Sequence, residues 1–220
     1  MSHIMDSHTA DENRLREEIC HIGASLFNRG YTVGSSGNIS ARLADGWLIT
    51  PTDACLGRLD PARLAKVTGD GTQVSGERAS KTLALHRGIY ANNATTRAVV
   101  HTHSTHLVAL SLAGVWKPED VVPPLTPYFV MKVGHVPLIP YDRPGAPAVA
   151  EQVAALAGKV RGVLLERLGP VVWHESVSSA AFALEELEET AKLWLMLQGK
   201  PAPLNEAAID DLRRAFKARW

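Results

Sequence analysis

The tract Val99-Val100-His101-Thr102-His103-Ser104 carries the densest chemistry in the chain. Residues two apart in a strand point to one face, so this spacing would set the His101 and His103 imidazoles side by side. Two neutral imidazoles at a strand end are a natural start for a divalent-metal site. The alternative is two ordinary histidines, one buried through hydrogen bonding and one at the surface, because the H-x-H pattern is common. His106 lies one turn further on and reads either as a third ligand or as a helix N-terminal residue.

A second group of candidates lies in small, hydroxyl-rich loops: Gly34-Ser35-Ser36-Gly37-Asn38-Ile39-Ser40, Thr50-Pro51-Thr52-Asp53 and Ala79-Ser80-Lys81. Glycine and serine let backbone N–H groups approach an anion closely, and hydroxyls add donors. Ser80-Lys81 would stand at the start of a helix, where a phosphate meets the helix dipole and an ammonium together. Each loop taken singly also reads as a turn or an N-cap, and Asp53 argues against an anion beside it. Tyr128 and Tyr141 are phenols near Pro-rich loops. Either could give a proton to a reacting carbonyl or enolate, or could be a half-buried aromatic. His86 falls inside a helix and reads as a hydrogen-bonded core residue.

The elements that must position these groups follow from periodicity. Leu15, Ile19, Ile22, Leu26 and Phe27 recur at helical spacing from about Glu12 onward, behind a polar lead over residues 1–11 that shows no periodicity and reads as flexible. Strands are expected near 39–43, 47–50, 98–100, 136–139, 162–165 and 171–173. Helices are expected near 81–92, 104–112, 148–158, 178–198 and 206–219. The prolines between Val122 and Pro127 demand extended chain or loop, since proline has no N–H to give. Glu188 precedes Lys192 by four residues, the favourable order for a helical ion pair. No repeat or composition shift marks a boundary, so residues 12–220 read as one α/β domain.

Composition excludes several classes. The 23 Lys and Arg residues balance 23 Asp and Glu residues, which gives no support to a nucleic-acid partner. Two cysteines, Cys20 and Cys55, are too few for a disulfide framework and point to a reducing compartment. No apolar run approaches the ~18 residues that cross a bilayer, and the first residues lack the apolar stretch of a secretory signal. The expectation is a cytoplasmic protein without a membrane partner.

Taken in order, Gly37-Asn38-Ile39-Ser40, Ile49-Thr50-Pro51-Thr52, Ser75-Gly76, Ser80-Lys81 with His86 and Tyr90, Val99-Val100-His101-Thr102-His103 and Gly169-Pro170-Val171-Val172 resemble the class II aldolase/adducin family over about residues 12–200. The chain is most similar to the sugar-acid branch, the 3-oxo-tetronate 4-phosphate decarboxylases. That likeness rests on Thr126-Pro127-Tyr128, Pro137-Leu138-Ile139-Pro140-Tyr141 and the acidic run from Leu184 to Lys192. The resemblance implies a three-layer α/β/α domain with a central mixed or antiparallel sheet, assembled as a homotetramer. It implies a divalent metal, zinc first and manganese second, held by His101 and His103. It further implies phosphate contacts from Asn38, Thr52, Ser80 and Lys81, with Lys81 also a catalytic candidate, and a proton donor in Tyr128 that reaches a neighbouring subunit.

Two departures from the family pattern stand out. Thr82 occupies the place of a glutamate four residues before His86, and Arg167-Leu168 stands where Asn-His usually precedes the Gly-Pro-Val-Val strand. His106, His135 and Glu166 are the candidates to make good the missing ligands. Retro-aldol cleavage needs a base for a hydroxyl proton, whereas decarboxylation of a β-keto acid needs only stabilisation of an enolate. A metal held by His101 and His103, or failing that Lys81 and Arg167 as cations, could supply that stabilisation. The expected activity is therefore decarboxylation of a phosphorylated 3-oxo-tetronate to a triose phosphate such as dihydroxyacetone phosphate. A sugar-phosphate aldolase or epimerase, or a non-catalytic adducin-like scaffold, is the alternative.

Overall fold

The computed structural model describes residues 2–220, with side chains described from Asp11 onward. Helix α1 spans Ser2–Asn28 and buries Ile19, Ile22 and Leu26. It starts well before the Glu12 expected from the apolar spacing, and the chain is helical from Ser2, where a separate lead over 1–11 was expected. Met1 lies outside the described residues. An apolar stripe marks only the buried part of a helix, and an established helix extends through polar residues at little further cost.

Eight strands form one sheet: β1 (Asn38–Arg42), β2 (Gly46–Ile49), β3 (Ala65–Thr68), β4 (Gln73–Ser75), β5 (Ala98–His101), β6 (Leu138–Ile139), β7 (Gly162–Leu165) and β8 (Gly169–His174). Their order is β4-β3-β2-β1-β5-β8-β7-β6. Every pair is antiparallel except β6 with β7, so the sheet is mixed. The short strands β3 and β4 were not expected. Ala-Lys-Val-Thr is too brief to show alternation, and Gln-Val-Ser is exposed throughout.

The remaining helices are α2 (Leu83–Asn92), α3 (Thr105–Ala113), α4 (Pro147–Leu156), α5 (Val177–Met196) and α6 (Glu206–Phe216). Alternation along the central strands sorts them into two layers. Ile39, Leu48, Val100 and Val172 point into a core shared with α1, α3 and α5. Val99, Val163, Val171 and Trp173 point the other way, into a core shared with α2 and α4. The result is the expected α/β/α sandwich. Among the described residues no helix is long and apolar enough to cross a membrane.

Candidate active site

The site grows out of the junction between β1 and β5. Their register pairs Asn38 with His101, and alternation turns Asn38, Ser40 and His101 toward α2. From α2, His86 and Tyr90 come down onto them. His86 Nε2 lies 2.6 Å from Asn38 Oδ1, and His86 Nδ1 lies 2.7 Å from Ser40 Oγ, which is itself 2.8 Å from the Tyr90 hydroxyl. These groups are satisfied in one direction. Tyr90 donates to Ser40, Ser40 donates to Nδ1 of a neutral His86, and its Nε2–H donates to Asn38. Burial, with His101 nearby, pushes the His86 pKa down to about 3.

His101 donates from Nδ1 to the Pro170 carbonyl at 2.8 Å, which fixes the tautomer and leaves the Nε2 lone pair as its reactive face. Burial first, and then the neighbouring His103, lower its pKa to about 4. The His101 and His103 ring centroids are 5.0 Å apart, and burial lowers the pKa of His103 as well. Two glycines permit this packing. A Cβ on Gly37 (φ +85°) would come within 2.7 Å of the His101 carbonyl, and one on Gly169 (φ +135°) within 2.2 Å of the Thr102 carbonyl. Larger residues at either position would displace the histidine-bearing strand end.

His101 and His86 open into a cleft of about 320 Å³ between the sheet, α2 and α4. Its walls are largely apolar, with Ile139, Leu165, Leu168 and Val171 among them. Lys81 and Thr82 line one side, and the loop from Pro140 to Pro147 lines another. Asn38 contributes to the same cleft. Its carbonyl oxygen is taken by His86, so the amide N–H groups are what it can offer a ligand.

The predicted phosphate residues are only partly brought together. Lys81 and Asn38 share the cleft, whereas Thr52 lines a separate depression with Asp53 and Arg58. The Lys81 ammonium reaches Asp53 at 3.6 Å. Ser80 does not begin the helix. It sits in the preceding turn with its hydroxyl 3.0 Å from that of Thr82, and α2 starts at Leu83. Tyr128 is 62% exposed and lines neither the cleft nor the Thr52 depression.

The candidates for the missing ligands fall elsewhere or do something else. His106 Nδ1 is 2.8 Å from Glu188, whose buried carboxylate also accepts the backbone N–H groups of His106 and Leu107 at the start of α3. Glu188 therefore caps a helix, and the expected pair with Lys192 is replaced by a 3.6 Å contact from Lys192 to Glu189. His135 is held by Asp120 at 2.8 Å. Glu166 lines the cleft but accepts from the Tyr141 N–H at 2.9 Å. Thr82 and Leu168, the two departures from the family pattern, both line the cleft with His101. Among the described residues no three His, Cys, Asp or Glu side chains come together as a metal cluster. A zinc site ordinarily draws at least three ligands from the protein. Two imidazoles are thus a donor set too small for a resident zinc ion.

Of the cations expected to steady an enolate, Lys81 lines the cleft and Arg167 does not. Arg167 stands at positive φ, its N–H bonded to Ser111 Oγ and its guanidinium 3.8 Å from Glu166. Arg143, which the sequence reading passed over, lines the cleft instead. The Arg143-Pro144-Gly145 run was the available signal, since Pro-Gly there shapes a turn that presents the preceding side chain.

Comparison with known proteins agrees with this architecture. The Class II Aldolase and Adducin N-terminal domain profile matches residues 17–195. A protein of Cupriavidus necator named 3-oxo-tetronate 4-phosphate decarboxylase is 72% identical over 214 residues, 95% of this chain and 99% of the relative. One of the same name from Escherichia coli is 49% identical over 204 residues, 92% of this chain and 96% of the relative. The crystal structure of YgbL from Escherichia coli superposes with a TM-score of 0.88 at 48% identity, covering 92% of this chain and 99% of that one. A family profile that matches residues 17–195, a shared fold and a likeness through nearly the whole length leave one conclusion: the chain belongs to the class II aldolase and adducin family.

Proposed function

We propose that the chain is a carboxy-lyase that converts a phosphorylated 3-oxo-tetronate to carbon dioxide and a triose phosphate, dihydroxyacetone phosphate. The observation that carries this reading is the near full-length likeness to relatives bearing that name. The chemistry is balanced by a short sequence of events. The C1–C2 bond breaks, carbon dioxide leaves, and the electron pair forms C2=C3 with the charge on the C3 oxygen. A proton then returns to C2. No base has to remove a hydroxyl proton.

In this cleft Lys81 is the catalytic cation facing the developing enolate, where a fixed charge lowers the barrier most. Asn38 offers amide donors at the cleft floor. We assign the phosphate to the Lys81 side, toward Ser80 and Thr82, where hydroxyls and an ammonium cluster. His86 and His101 hold neutral imidazoles beneath the substrate, and the apolar walls exclude water. Tyr128 serves as proton donor only toward a neighbouring copy, because it does not face its own cleft. In the family a divalent ion supplies Lewis acidity. Here zinc, or manganese in its place, would rest on His101 and His103 alone.

The same reading places the protein in the cytoplasm, in keeping with its two free cysteines, and makes it a homotetramer. Exposed Phe182, Leu193 and Met196 on α5, with Leu197 just after it, support self-association. The test is incubation of purified protein with 3-oxo-tetronate 4-phosphate, following carbon dioxide and dihydroxyacetone phosphate. Equal release of both is expected. An aldehyde product would move the reading to an aldolase. A folded protein with no turnover would favour the scaffold, the second reading that the small donor set supports.

A further inference from the structure

The cleft presents an electrostatic problem that its known residues do not solve. Three acids, Asp142, Glu151 and Glu166, line it together with two cations, Lys81 and Arg143. A substrate with a phosphate at one end and a carboxylate at the other is repelled by those acids unless a cation meets each end. Lys81 sits beside Asp53, Ser80 and Thr82, on the side where the hydroxyl-bearing loops gather. That leaves the carboxylate end.

We propose that Arg143 is the residue that recognises the substrate carboxylate and so selects a sugar acid over a neutral sugar phosphate. This inference rests on the carboxy-lyase reading above and deepens it. Among the described residues the Arg143 guanidinium has no hydrogen-bond or ion-pair partner, in contrast to Arg16, Arg29, Arg63 and Arg213, each of which meets a carboxylate. An unpaired guanidinium keeps its planar fork of donors for a carboxylate, which it can grip through two parallel bonds.

The backbone beneath Arg143 is well defined. Ala146 donates its N–H to the Arg143 carbonyl at 3.0 Å, closing a four-residue turn with Pro144 and Gly145 at its centre. Gly145 has φ +83°, the conformation that a Pro-Gly turn of this kind requires. One residue earlier, the Asp142 carboxylate accepts the Arg143 N–H at 2.7 Å. Tyr141 is tied to Glu166 on the cleft wall by its own N–H at 2.9 Å. The turn thus holds the root of the Arg143 side chain at the cleft while the guanidinium stays free.

The experiment compares two ligands that do not react, each titrated calorimetrically into wild-type protein and into Arg143→Gln and Arg143→Lys. One is a 4-phosphotetronate, which has both anionic ends but no 3-oxo group. The other is glycerol 3-phosphate, which has the phosphate and no carboxylate. The expected result is a loss of 10-fold or more for the 4-phosphotetronate in Arg143→Gln, partial rescue in Arg143→Lys, and a change below 2-fold for glycerol 3-phosphate. Equal weakening of both ligands, or no weakening of either, would overturn the assignment to the carboxylate. Failure of the wild type to bind either ligand would instead remove the carboxy-lyase reading on which the assignment stands.

Discussion

The neutral histidines under the cleft make the fold sensitive to mild acid, by an amount that can be worked out. His86 is wholly buried, and its neutral ring completes the Tyr90–Ser40–His86–Asn38 chain of hydrogen bonds, with no carboxylate among the described residues beside it to balance a charge. His101 is equally buried, with one nitrogen bonded to Pro170. Folding lowers both pKa values from 6.5, to about 3 and about 4. A lowered histidine pKa means that the unfolded chain binds the proton more tightly. Stability is therefore full above pH 6.5 and falls as the pH drops toward the folded values. Each pH unit below 6.5 removes about 1.4 kcal/mol per histidine, so at pH 5 each has lost about 2 kcal/mol and the pair about 4 kcal/mol. That is a large part of the ~5–15 kcal/mol that holds a domain together. Urea unfolding at pH 7.5 and pH 5.0 reads the effect in a window above most carboxylate titrations. His86→Gln, which cannot titrate, should be less stable at pH 7.5 yet lose only about half as much between the two pH values. A wild-type midpoint that stays constant across this window, or an identical loss in the variant, would refute the assignment of neutral, network-locked imidazoles.

Three further outcomes are expected. After dialysis the wild type should carry well under one divalent ion per chain by elemental analysis, and Thr82→Glu with Leu168→His should raise this to about one, since both positions line the cleft with His101. Whatever zinc the wild type takes up should be lost in both His101→Ala and His103→Ala. Glu188→Ala should cost about 3 kcal/mol in urea unfolding, because it strips three donors at the start of α3 of their buried acceptor, and Glu188→Gln should recover part of the loss.

The elements that bury one clean face were readable from residue types alone. Ile19, Ile22 and Leu26 announced α1, and Val99-Val100 announced the strand that carries the histidines. The layering followed from alternation, as Val99 and Val100 entering opposite cores shows. What escaped was decided by tertiary contact. β4 has no buried residue, so nothing in its pattern distinguished it from loop. Glu188 looked like one of several exposed acids on α5, and only the arrival of the α3 N-terminus makes it a buried cap. Arg143 lay in a Pro/Gly-rich loop whose place at the cleft depends on how β6 and α4 meet the sheet. Thr52 shows that local chemistry does not fix direction. Its loop has the chemistry of an anion site, but the turn aims it into a neighbouring depression.

The residues at Thr82 and Leu168 bear on which carbon–carbon cleavage this cleft can sustain. Retro-aldol cleavage begins with loss of a hydroxyl proton, and Thr82 is no base: its hydroxyl is a partner of Ser80 rather than a proton acceptor poised near neutrality. Decarboxylation asks for less. The departing group is already ionised, and the cleft needs only to hold the acid in place and steady the charge that moves to the ketone oxygen. On the proposed reading Lys81 meets the second requirement and Arg143 the first, while Leu168 adds to the apolar wall of the cleft. An apolar side chain there cannot bind a metal, yet it keeps water from the enolate before a proton returns to carbon. Thr82 and Leu168 thus weigh against an aldolase reading while leaving the proposed decarboxylation with groups to hold the acid and steady the enolate.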